Sequence, residues 1–80
     1  MTDKQTYIQR FIVTHFNLEE LRVLCFDLYV DYDDLAGEAK SGKARSLVQK
    51  MQRDGTLDDL LAYLSTARPK AFARLLTDAD

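Results

Sequence analysis

The sequence predicts an all-α domain. Three observations lead there. Apolar residues recur at three- and four-residue spacing along most of the chain. No stretch alternates apolar and polar in the way a half-buried strand does. Helix-capping residues stand where the periodic runs begin and end. The 80 residues make one small domain, large enough to bury about 60–65% of the surface its unfolded chain exposes.

The elements follow in order. Tyr7, Ile8, Phe11 and Ile12 fall on one face of a helix from about residue 3 to 15. Asn17 supplies an N-cap, and Glu20, three residues on, makes a capping-box variant. Leu21, Leu24, Cys25 and Leu28 stand at i, i+3, i+4 and i+7, predicting a second helix that ends near Tyr29. VDYDDLAG is short and turn-rich, with room for one helical turn that carries Leu35 inward. A longer helix runs from Lys40 to about Asp54 on the stripe Ala44, Leu47, Val48 and Met51. Gly55 is suited to end it in a left-handed cap.

Thr56 starts the next helix, with Asp59 expected to bond back to it. Its buried face is Leu57, Leu60, Leu61 and Leu64. Arg68-Pro69 marks a break, and Pro69 suits the first position of a last helix that turns Phe72, Leu75 and Leu76 inward. Residues 76–80, closing on TDAD, are expected to form a tail or the start of a linker.

The segment GEAKSGKA, residues 37–44, nearly spells the phosphate loop G-x-x-x-x-G-K-[ST]. A phosphate loop needs a buried strand before it, so that backbone N–H groups converge at a helix start. Here the preceding residues are DYDDLA, and Asp31, Asp33 and Asp34 would repel a triphosphate. The magnesium-binding Ser/Thr position holds Ala44. Nucleotide binding is therefore not expected, and Gly37 and Gly42 are read as allowing a bend. No cofactor is expected. No metal is expected either, because His15 is alone and no Cys or His lies at ligand spacing.

Other single residues have plain readings. His15 is expected at the surface near the end of the first helix. Cys25 lies on an inner stripe, as a small buried hydrophobe rather than a nucleophile. It has no second cysteine with which to form an internal disulfide. No apolar run approaches ~18 residues, so no membrane span is expected. The N-terminal MTDKQTYIQRF has no signal-peptide character. These features point to a cytoplasmic protein. Tyr7 and Tyr63 should border the core, while Tyr29 and Tyr32 flank the acidic turn as candidate interface anchors.

Charge is unevenly placed. Residues 17–38 hold seven acids and one base, net −6, and residues 39–55 hold five bases and one acid, net +4. Two solvated faces would satisfy solubility alone. The sharper reading is an acidic surface (Glu19, Asp27, Asp31, Asp33, Asp34) that docks on a basic one (Lys40, Lys43, Arg45, Arg53) of another domain. Phe26 or Tyr32 would be the apolar anchor. Such a head-to-tail contact need not close.

The segment FNLEELRVLCFDLYVDYDDLAGEAKSGKARSLVQKMQRDGTLDDLLAYL resembles the bacterial effector-associated, death-like domains. The residues that carry the resemblance begin with Phe16, Asn17, Leu18, Glu20, Leu21, Leu24, Cys25, Phe26, Leu28 and Val30. They continue through Asp31, Tyr32, Leu35, Gly37, Lys40, Lys43, Ala44, Arg45, Leu47 and Val48 to the step Gly55, Leu57, Asp58, Leu60. The likeness spans roughly residues 16–64 and keeps order and spacing. One departure is Tyr29, where such domains often have Gly. A Tyr would be strained in a left-handed cap, so this helix is expected to end differently.

The resemblance implies a six-helix antiparallel bundle of the death-domain superfamily, akin to death effector and caspase recruitment domains. It implies a non-catalytic adaptor that pairs with a similar domain, on the same or a different chain. Such a pairing links a sensor to an effector such as a protease, nuclease or NTPase in bacterial conflict. The Arg-x-Asp-Leu signature of animal death effector domains is absent. The competing reading is a small helical nucleic-acid- or ligand-binding domain. The net charge of −2 and pI near 5.2 weigh against nucleic acid. A small enzyme would need convergent catalytic groups that the sequence does not offer.

Overall fold

The computed structural model describes residues 4–78, the last three without their side chains. Five α-helices run in the order α1 (Lys4–His15), α2 (Leu18–Asp27), α3 (Lys40–Asp54), α4 (Leu57–Ala67) and α5 (Pro69–Asp78). A single 3₁₀ turn, Tyr32–Asp34, stands between α2 and α3. All regular structure among the described residues is helical. The expected six helices are thus five and a turn. The VDYDDLAG segment is too short for more than one turn between the end of α2 and the start of α3. Leu35, at the end of that turn, is buried as expected.

α3 organises the packing. It lies against α1, α2 and α4, and α5 packs on α4. The predicted stripe of α3 is its buried set: Ala44, Leu47, Val48 and Met51. Leu24 and Cys25 of α2, Ile8 and Ile12 of α1, and Leu60 and Leu64 of α4 close the core around it. Phe11 and Phe72 join α1 to α5 edge to face, with ring centroids 6.0 Å apart. Leu57 and Leu61 are only partly buried, at the border of the core. So are Tyr63, Phe72 and Leu75. α5 continues to Asp78, past the point where a tail was expected. The inward placement expected of the Leu76 side chain lies outside the described residues, as do residues 79 and 80.

The caps explain the helix ends. Asn17 Oδ1 accepts from the Glu20 N–H at 2.7 Å, and Glu20 Oε1 accepts from the Asn17 N–H at 3.0 Å. The capping box is complete. Thr56 differs from its expectation. Its side chain makes no cap bond. Instead its hydroxyl donates to the Met51 carbonyl at 3.4 Å, and the Asp59 N–H reaches the Thr56 carbonyl at 3.0 Å. The turn after α3 leaves Thr56 facing back along that helix.

α2 and α3 end alike. Beyond α3, the N–H groups of Gly55 and Thr56 donate to the carbonyls of Gln52 and Met51. Beyond α2, the N–H groups of Tyr29 and Val30 donate to the carbonyls of Phe26 and Cys25. Both are the paired pattern of a left-handed C-terminal cap, with φ +77° at Gly55 and +60° at Tyr29. The expectation that α2 would avoid this cap at Tyr29 is corrected. Val30 is buried, and the reversal at Tyr29 is what returns it to the core.

Candidate interaction surface

The GEAKSGKA segment is a clamp. Gly37 and Gly42 cross so closely that a Cβ on Gly37 would stand 2.9 Å from the Gly42 Cα. The Lys43 ammonium donates to the carbonyls of Leu35 at 2.6 Å and Tyr32 at 3.2 Å. The Ser46 hydroxyl donates to the Ala36 carbonyl at 2.9 Å. The lysine that mimics a phosphate-loop lysine therefore holds the acidic loop down on α3.

Tyr32 is part of the same clamp. The Arg22 guanidinium and the Lys43 ammonium both lie over its ring, 4.9 and 4.8 Å from the ring centre. Each contact draws the ring's negative face toward a cation. Tyr32 is half-buried against the core, so its ring is engaged within the domain. Asp31 caps the 3₁₀ turn by accepting from the Asp33 N–H at 3.0 Å. Asp27 accepts from the Tyr63 hydroxyl at 3.0 Å, tying α2 to α4. Burial first, and then the Asp27 bond, push the Tyr63 phenol upward.

A second knot joins both halves of the chain. Arg68 donates to Glu20 Oε2 at 2.6 Å and to the His15 carbonyl at 3.3 Å. Its guanidinium also stacks over Phe16, 4.7 Å from the ring centre. Glu20 thus serves the cap of α2 and the α4–α5 junction together. The Asn17 N–H, then Arg68, hold its carboxyl below the ordinary value. His15 is exposed and its ring lies 4.7 Å from Phe11. Burial pushes the Cys25 thiol up to about 11, against a smaller opposing pull from Lys43.

The outer face of α2 is the exposed apolar surface. Among the described residues the exposed large apolar side chains are Leu18, Val23, Phe26 and Tyr29. All sit on α2 or its cap. Phe26 is 79% exposed and Tyr29 98%. A groove lies on each side of this ridge. One is bordered by Phe26, Asp31, Asp33 and Arg22, the other by Val23, Glu19, Glu20, Tyr63 and Arg68.

The basic residues are more dispersed than the charge sums imply. Arg45 and Arg53 are exposed on α3, two turns apart. Lys40 is half-buried at the start of that helix, and Lys43 is engaged by the loop. Lys50 pairs with Asp54 at 3.3 Å. Asp34 shares a groove with Lys50 and Arg53. The acidic and basic surfaces therefore adjoin at that point. Tyr29, a candidate anchor from sequence, and Val23, which was not among the expected site residues, complete the exposed ridge. The 3.6-residue period shows both as off the inner stripe, but it does not show that nothing covers them.

Residues 8–69 match the family described as effector-associated domain 7. The chain belongs to the effector-associated domain 7 family. The match runs from the first buried residue of α1 to the start of α5, so the matched span contains the capping box, the clamp and both helix ends of this chain. No curated protein and no solved structure matches the chain. The family assignment describes a regulatory or interaction module. Among the described residues no group of His, Cys, Asp and Glu is placed to hold a metal ion. Among them no helix is long and apolar enough to cross a membrane.

Proposed function

We propose that this effector-associated domain is a death-like adaptor in the cytoplasm of a bacterial cell. It pairs with another death-like domain, on the same or a different chain. Through that pairing it brings a sensor to an effector such as a protease, nuclease or NTPase in conflict or antiphage signalling. Its part is contact rather than chemistry. The single observation that carries this reading is the bare apolar ridge of α2, flanked by grooves in each of which two acids outnumber one arginine.

The opposing surface is the exposed side of α3, with Arg45 and Arg53. Exposed ion pairs contribute about 0–1 kcal/mol each, so charge directs encounter and register while the apolar crest supplies holding energy. Association should weaken as salt shortens the Debye length below about 10 Å. The test is light scattering and pull-down against salt. Arg45→Glu with Arg53→Glu is expected to abolish association. Glu19→Lys with Asp33→Lys on the partner is expected to restore part of it. Lys43 is kept intact, because reversing it would release the loop. Association indifferent to salt and to both reversals would refute the charge-directed pairing.

A further inference from the structure

We propose that Tyr29 is the anchor of this pairing and that its occupant is the arginine-bearing face of α3 on a second copy of the same chain. The inference rests on the adaptor reading above. Tyr29 combines two features that oppose stability. Its backbone is left-handed, φ +60°, where an L side chain crowds the following carbonyl. Its side chain is 98% exposed, so it recovers no burial within the domain. A glycine would make the same cap without strain, as Gly55 does at the end of α3. Backbone strain tends to be kept at functional positions, and here it is kept at an exposed aromatic.

The chain itself carries the complement. Arg45 and Arg53 are exposed on α3 and stand about 12 Å apart along the axis. Glu19 and Phe26 are separated by a similar rise on α2, ~10 Å. The two arginines are also turned about 80° from each other around α3, so one guanidinium reaches sideways to Tyr29, beyond the end of α2, while the other meets Glu19 on its outer face. Arginine is the fitting cation, because its planar group stacks on rings and pairs with carboxylates. Both surfaces belong to one chain and lie on different helices, so each copy can offer one to each neighbour. The assembly is head to tail.

The experiment compares melting and self-association of the parent, Tyr29→Gly, Tyr29→Phe and Arg45→Glu with Arg53→Glu, by thermal denaturation and sedimentation. Tyr29→Gly should melt about 4 °C higher, because strain is relieved, and associate ~10–30-fold more weakly. Tyr29→Phe should match the parent in both. A Tyr29→Gly chain that associates like the parent overturns the anchor. If the arginine reversal still abolishes association in that case, the charge-directed pairing stands without it. Melting is compared at a concentration where the parent is monomeric, so a Tyr29→Gly chain that melts lower removes the strain on which the anchor is argued and overturns it. A parent chain monomeric up to about 1 mM overturns the second copy as occupant. Pairing with a different death-like domain would survive that result.

Discussion

Helices α2 and α3 close with the same backbone cap, yet one uses Tyr29 and the other Gly55. At Gly55 an added Cβ would meet nothing within 4 Å. Glycine stands there for backbone freedom alone. At Tyr29 the same freedom is given up for an exposed ring. The difference extends along both helices. The large apolar side chains of α3 are buried. α2 buries Leu21, Leu24 and Cys25 on one side and leaves Val23 and Phe26 bare on the other. α3 serves the core and the loop clamp. α2 serves the core with one face and offers the other. Sequence choices that lower stability are informative where no backbone need explains them.

The comparison can be broken at four points. The inner faces should be equal. Leu24→Ala on α2 and Leu47→Ala on α3 should each cost about 2–5 kcal/mol, as should Leu60→Ala on α4. Urea titration measures this, and a Leu24→Ala chain as stable as the parent would show that α2 is not a true core helix. The start of α3 should be nearly as intolerant. Gly37 has φ +92° and its missing Cβ faces the Gly42 backbone, so Gly37→Ala should cost about 1–3 kcal/mol. A chain unaffected by it would mean that the clamp is dispensable.

The two caps should respond in opposite directions. Gly55→Ala imposes left-handed strain without a clash and should cost about 1 kcal/mol. Tyr29→Gly should raise stability, as set out above. The smallest effect concerns pH. The Glu20 carboxyl is held below its ordinary value by the Asn17 N–H and then Arg68. A lowered folded pKa gives stability that is fully present above the unfolded value and is lost as pH falls through the folded one. The gap in urea midpoint between the parent and Glu20→Gln should therefore be widest near neutrality and shrink below about pH 4. A gap independent of pH would show that Glu20 acts by packing alone.

Much of this was legible before the fold was known. The capping box at Asn17 and Glu20, the span of α3, its buried stripe, the Gly55 cap and the Pro69 start follow from the sequence. Each depends on hydrogen bonds or side-chain spacing within a turn or two, and local chemistry decides such features. The Tyr29 cap was misread for a related reason. Local preference argues against it, but burial of Val30 on the far side of the turn prevails. The single turn in VDYDDLAG and its inward Leu35 were legible too, but the pinning of the loop carbonyls to α3 by Lys43 and Ser46 is an arrangement that composition does not display.

The sequence by itself determined where helices begin, where most of them end and which stripe of each is apolar, because these are set by neighbours three or four positions away. Only the tertiary structure decided which charges are free. Lys43 turned inward to two carbonyls, Arg68 reached Glu20 across 48 positions and Asp27 received Tyr63 across 36. Those partners meet because helices cross, and a crossing is set by the packing of whole faces rather than by any local run. The same packing left the outer face of α2 uncovered, with Phe26 and Tyr29 exposed upon it.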